Sequence, residues 1–183
     1  NGDITSYEIP GEGTWNVDLV TGAITFDPFP TFNDDPTPIE YNVEDDEGNQ
    51  SNNATVTIDY VPVATDDYST PGNVPLTAAD VNIVSNDVDG DIVDPSTIDL
   101  DPSSPLTLES ILVVPGEGTW EITALGVVTF TPESIANGDA ADYTLDPTPI
   151  PYTIQDDEGN TSNQAFIYVD YAPIATDDVS DNA

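Results

Sequence analysis

Residues 10–28 read PGEGTWNVDLVTGAITFDP, and residues 115–132 read PGEGTWEITALGVVTFTP. In the first stretch Trp15 and Val17 alternate with Asn16 and Asp18, and Thr21-Gly22 turns the chain into Ile24 and Phe26. The second repeats the pattern with Trp120, Ile122, a Leu125-Gly126 turn, Val128 and Phe130. Apolar residues at a period of two on either side of a glycine-bearing turn predict a β-hairpin with one apolar face.

A second duplicated stretch follows each hairpin. Residues 35–67, DPTPIEYNVEDDEGNQSNNATVTIDYVPVATDD, return as residues 146–178, DPTPIPYTIQDDEGNTSNQAFIYVDYAPIATDD. Pro10 recurs as Pro115 and Asp35 as Asp146, offsets of 105 and 111, the difference lying in a longer loop over residues 137–145. A period of this size is one domain per repeat rather than a solenoid of short units. Ile39, Tyr41 and Val43, then Val56, Ile58 and Tyr60, form the next inward-facing set. Ile150, Tyr152, Ile154, Ile167, Val169 and Tyr171 match them. Residues 68–105 have no earlier counterpart. Residues 1–64 therefore read as the later part of one repeat, its front half missing from this window. Residues 65–175 read as a complete repeat, and residues 176–183 as the start of the next. The 17 prolines and frequent threonines argue against long helices. Some seven short strands per unit predict an all-β chain of tandem immunoglobulin-like β-sandwich domains in an elongated array.

Composition narrows the partners. The 183 residues carry 36 acids and no Lys, Arg or His, a net charge of −36, so no carboxylate has a salt-bridge partner among the side chains. Disordered acidic chains are poor in aromatic and β-branched residues. This chain is 37% hydrophobic with 8 Tyr and 2 Trp, which suits a folded chain kept soluble by charge. Nucleic acid and anionic membrane surfaces are disfavoured as partners by repulsion. Without His or Cys, the usual zinc and copper sites and any disulfide are excluded, leaving hard cations bound by oxygen. No apolar run reaches the length of a membrane span and no leader is visible, so the chain reads as a segment of something longer.

GTW…GVVTFTP, DPTPIPYTIQDDEGN and the junction PIATDD resemble the CshA-type fibril repeat. PVATDD followed by VPLTAADVNIVSNDVDGD resembles the opening of bacterial cadherin-like and Ig-like repeats. Such units occur in tandem in very large surface adhesins, including gliding-motility adhesins. The resemblance implies an extracellular, non-enzymatic stalk on a bacterial cell surface. Its partners would be neighbouring repeats of the same chain and a surface or glycan ligand gripped by a distal tip outside this window.

The candidate chemistry lies in acidic loops. In Ig topology the B–C and F–G loops share a pole with the start of strand A. Taking residues 67–70 as the start of A, 81–85 as B, 150–155 as F and 164–170 as G brings three acidic groups together. They are Asp66 and Asp67 of the linker, Asn86, Asp87, Asp89 and Asp91 of the B–C loop, and Asp156, Asp157 and Glu158 of the F–G loop. Calcium takes six to eight oxygens, which such loops can supply. NDVDGD is not an EF-hand, because its Gly comes too early and no Glu closes it. DDEGN is equally a good turn, with Gly or Asn supplying a positive φ. Asp66-Asp67 reads either as a solvated spacer or as ligands. Phe166 and Tyr168 stand where the first copy has Thr55 and Thr57, either covered by the longer loop or free for lateral contact between stalks. Two other functions stay open: a carbohydrate-binding module, against which the inward register of both Trp counts, and an acidic envelope protein of a halophile. A carboxylate-only glycosidase would need paired acids flanking a cleft, and these acids cluster in turns.

Overall fold

The structure, a computed structural model, describes residues 5–87, 91–104, 107–133, 145–175 and 177. It forms two compact units, Asn1–Tyr60 and Val61–Ala183, and the described residues contain no helix.

The first unit holds two small sheets. Strands β1 (Ser6–Ile9), β2 (Gly13–Val17) and β3 (Ile24–Pro28) form an antiparallel meander. Strands β4 (Ile39–Tyr41) and β5 (Ala54–Val56) pair separately, Ile39 opposite Val56. Trp15 is buried against the Phe26 ring, as its register requires. Tyr41 and Val43 are not: they are 41% and 59% exposed, against the inward position expected for them. Their counterparts in the second unit, Tyr152 and Ile154, are covered by strands with no equivalent among the described residues of the first unit.

The second unit is a sandwich of two four-stranded sheets. Its strands are β6 (Asp67–Tyr68), β7 (Ala79–Asn82), β8 (Val93–Asp99), β9 (Ile111–Val114), β10 (Gly118–Ala124), β11 (Val127–Pro132), β12 (Ile150–Asp156) and β13 (Ala165–Tyr168). One sheet runs β7-β11-β10-β9 and the other β6-β13-β12-β8. The short first strand β6 lies parallel to the last, with Asp67 opposite Ile167 and Tyr68 opposite Tyr168, as expected of the opening strand in an Ig sandwich. The inward residues of both sheets, among them Ile83, Ile98, Leu100, Trp120, Phe130, Tyr152, Ile154 and Ile167, form one buried core.

The duplicated motifs explain how an all-acid chain folds: backbone N–H groups take the place of the missing bases. Glu117 of PGEGTW accepts hydrogen bonds from the Thr148 amide (2.8 Å) and hydroxyl (2.7 Å) of DPTP. Glu12 holds Thr37 in the same way. Asp146 accepts the amide of Tyr171 at 2.7 Å, and Asp35 that of Tyr60 at 2.8 Å. Charge-assisted bonds of this kind are stronger than neutral ones. The Gly of GTW has a steric cause: a Cβ on Gly118 would collide with the Thr131 carbonyl and the Phe130 ring across the hairpin. The Leu125-Gly126 turn places both residues at positive φ, 49° and 79°, the two-residue geometry that matches strand twist.

Candidate functional site

The DDEGN loops first resolve into turns. Asp156 Oδ1 accepts the Asn160 amide at 2.7 Å, and Asp45 Oδ1 accepts the Asn49 amide at the same distance. Gly159 and Gly48 supply the positive φ, 93° and 88°. Ser162 and Ser51 then close the hairpins by accepting the amides of Ile154 and Val43. The copies differ in surroundings. Asp45 is exposed, and its bonds from the Asn49 side chain and amide lower its pKa. Asp156, at the end of β12, is 2% exposed, and its Oδ2 has no hydrogen-bond partner.

The acids expected at one pole of the second unit form two groups. The first surrounds Tyr152, whose hydroxyl lies 2.6 Å from Asp87 Oδ2, 2.7 Å from Asp67 Oδ2 and 2.9 Å from the Thr65 carbonyl. All three side chains of this knot are buried. Thr65 donates its amide to Asp87 Oδ1 at 2.8 Å, so the knot fastens the chain entering β6 to the loop after β7. A phenol has one proton and cannot satisfy three acceptors at once. The other donors in the knot are the Asn86 side chain, which bonds Asp67, and the Thr65 amide and hydroxyl, which bond Asp87. They offset only part of the repulsion between two buried carboxylates, which a proton on Asp67 would relieve. Burial, followed by the charge of Asp87, pushes Asp67 up to about 7 despite the opposing bond from Tyr152. Burial also raises Asp87, and burial with both carboxylates raises Tyr152, which stays protonated. Asp66 is committed elsewhere: its Oδ1 accepts the Phe166 amide at 2.9 Å, and its carbonyl takes the Asn86 side-chain amide at 3.4 Å.

The second group joins the loop after β12 to the start of β8. Asp91 is fully buried and accepts the Ile92 amide at 2.7 Å. Glu158 is exposed and pushed up to about 7, first by its hydrogen bond with the Asp157 carboxyl, then by desolvation and the charges of Asp157 and Asp91. Asp91 and Glu158 interact through their charges, and Asp156 and Asp157 precede Glu158 in the same loop. All of them offer oxygen alone, the donor type that suits a hard divalent cation. Asp89 lies outside the described residues, as do residues 137–144 of the longer loop and all of 176–183 except Asp177.

Sequence reasoning missed Tyr152 as a polar hub, reading it as core with Ile150 and Ile154. A tyrosine in an otherwise aliphatic inward register was the available signal, since a buried phenol usually finds a hydrogen-bond partner. Asn163 was missed too. Its side chain donates to the Ala64 carbonyl at 2.8 Å and accepts the Ala64 amide at 3.1 Å. That clasp ties residues 61–64 to the body of the second unit.

The fold and its acidic pole define an Ig-like repeat built around carboxylates. Residues 59–169, more than half the chain, match the model of the bacterial Ig domain, and the chain belongs to that family. Residues 1–62 match the repetitive domain of the surface adhesin CshA and are similar to it. Among curated proteins, none matches the chain. Together the two matches make this a repeat of the surface-adhesin type.

Proposed function

We propose that the chain is a structural stalk repeat of a large bacterial adhesin, serving adhesion or gliding outside the cell without catalysis, and that calcium stiffens it. The matches to an adhesin repeat and a bacterial Ig domain support the stalk. The observation that carries calcium is the buried Asp156 Oδ2 without a hydrogen-bond donor, in a chain that has no base to neutralise it. Leaving a buried carboxylate oxygen unsatisfied is costly. A cation held by Asp91, Asp156, Asp157 and Glu158 would remove that cost and fasten the loop after β12 to the strand β8. Absence of catalysis is supported by the acids of the repeated motifs, which hold backbone amides, and by the burial of the carboxylate pair at Tyr152. Both Trp side chains are buried, which speaks against sugar stacking on indole rings.

Thermal melts in chelator, in millimolar calcium and in sodium chloride of equal ionic strength test this reading. Calcium is expected to raise Tm well beyond sodium, because specific binding to the folded state adds ~2.7 kcal/mol at a hundredfold excess over Kd, whereas sodium only screens. Equal effects of the two salts would refute a specific site and favour an envelope protein adapted to high salt.

A further inference from the structure

The outward face of the second unit carries aromatics that the fold does not require. Tyr68 and Tyr168 sit opposite each other on β6 and β13, and their rings stack at 4.8 Å with planes 10° apart. Tyr68 is 68% exposed and Phe166, two residues before Tyr168, is 37% exposed. The first unit provides an internal control: the positions matching Phe166 and Tyr168 are Thr55 and Thr57, in the same hairpin context. The stacked pair supports the β6–β13 pairing, but it also leaves a contiguous aromatic surface facing solvent, the kind of patch that marks an interaction site.

The tyrosines form one wall of a groove of about 690 Å³ that also includes Pro71, Pro147, Asp146 and Asp170. Its charged groups are of one sign, Asp146 and Asp170. Asp146 accepts the Tyr171 amide and Asp170 the Gly72 amide, bonds that fix each carboxylate without cancelling its charge. The Thr148 hydroxyl is already donated to Glu117. Besides the two phenol hydroxyls, the groove presents carboxylate charge and aromatic π-faces to a ligand. Their complement is a donor-rich cation, since guanidinium and ammonium groups pair with carboxylates and stack on tyrosine. A second copy of this chain is a poor occupant, because each copy carries −36 and no base.

We propose that the Tyr68–Tyr168 groove, with Asp146 and Asp170, docks an extended arginine- or lysine-bearing segment of a partner polypeptide. The rings would take the cation's flat face or its alkyl stem, and the two carboxylates its N–H groups. The rigid proline walls lower the ordering cost of docking. The groove is separate from the calcium reading, so either can fail without the other.

The experiment uses the full chain and a fluorescein-labelled peptide of alternating Pro and Arg, followed by anisotropy at physiological ionic strength. Because −36 attracts any polycation, the decisive comparison is with variants of unchanged charge, Tyr68→Ser and Tyr68→Ser/Tyr168→Thr. Tyr68 is mostly exposed, so the single variant keeps the fold, which a melting curve checks. The double variant is expected to bind the peptide about tenfold more weakly, the loss of one or two cation–π contacts. Asp170→Asn is expected to weaken binding more than Asp80→Asn, which removes the same charge from an exposed position on the other sheet. Equal affinity of wild type and double variant would overturn the proposal and leave bulk electrostatics. Tyrosine-dependent binding of a neutral chitin oligosaccharide without tyrosine-dependent binding of the peptide would overturn it in favour of a sugar site.

Discussion

Replacing Asp67 by asparagine gives the sharpest test of the knot at Tyr152. Asp67 is 3% exposed, and its pKa is raised from the ordinary 3.8 to about 7. A folded-state pKa above the unfolded value means that the folded chain binds the proton more tightly. Stability from this group is therefore fully present below pH 3.8, falls as pH rises towards 7, and is gone above it. Three units at ~1.4 kcal/mol each set an upper bound of ~4 kcal/mol, and relaxation of the buried pair brings the expected figure nearer ~2 kcal/mol. The carboxamide introduced by Asp67→Asn is neutral at every pH, and its N–H can donate to the Tyr152 oxygen. In chelator, Asp67→Asn should match wild type near pH 4 and exceed it by ~2 kcal/mol at pH 8, a Tm gain of roughly 6 °C. Urea melts across pH 4–8.5 measure this, and the difference between the two proteins isolates Asp67 from the remaining carboxylates. An asparagine variant less stable than wild type at pH 8, with the same pH slope, would show that ionised Asp67 is satisfied and that the proton count at Tyr152 is wrong.

Other perturbations separate the remaining contributions. Gly118→Ala should destabilise the second unit by ~3 kcal/mol or more in denaturant melts, because the new methyl meets backbone across the hairpin and cannot be accommodated by a rotamer change. Asp156→Asn keeps an acceptor for the Asn160 amide, so it should leave stability in chelator unchanged or higher while abolishing the calcium-dependent rise in Tm; a full calcium response in this variant would move the ion elsewhere. A fragment of residues 61–183 should melt cooperatively on its own, whereas residues 1–60, with Tyr41 and Val43 exposed, should not. Calorimetry on the two fragments checks both statements.

Much of this architecture was legible in the sequence because it depends on local periodicity. The alternation around Trp15 and Trp120 placed both rings inside, and the turn at Leu125-Gly126 follows from residue type. The repeat of PGEGTW and DPTP pointed to one domain per period, and the DDEGN turn chemistry is short-range, with Asp and Asn four residues apart. Burial of the acids was not legible. Asp45 and Asp156 stand in the same pentapeptide and make the same bond to Asn, yet one is exposed and the other 2% exposed. Tyr41 and Tyr152 diverge in the same way, 41% against 0% exposed. What separates them is the cover supplied by β6, β7 and β8, which lie far from β12 in the chain and pack around it only in the second unit. Desolvation is a property of that packing, since the same carboxylate is inexpensive in water and costly once strands exclude water from it. The sequence decided which residues form the loops and turns; the tertiary structure alone decided which carboxylates lose their water, because the strands that exclude it come from distant parts of the chain.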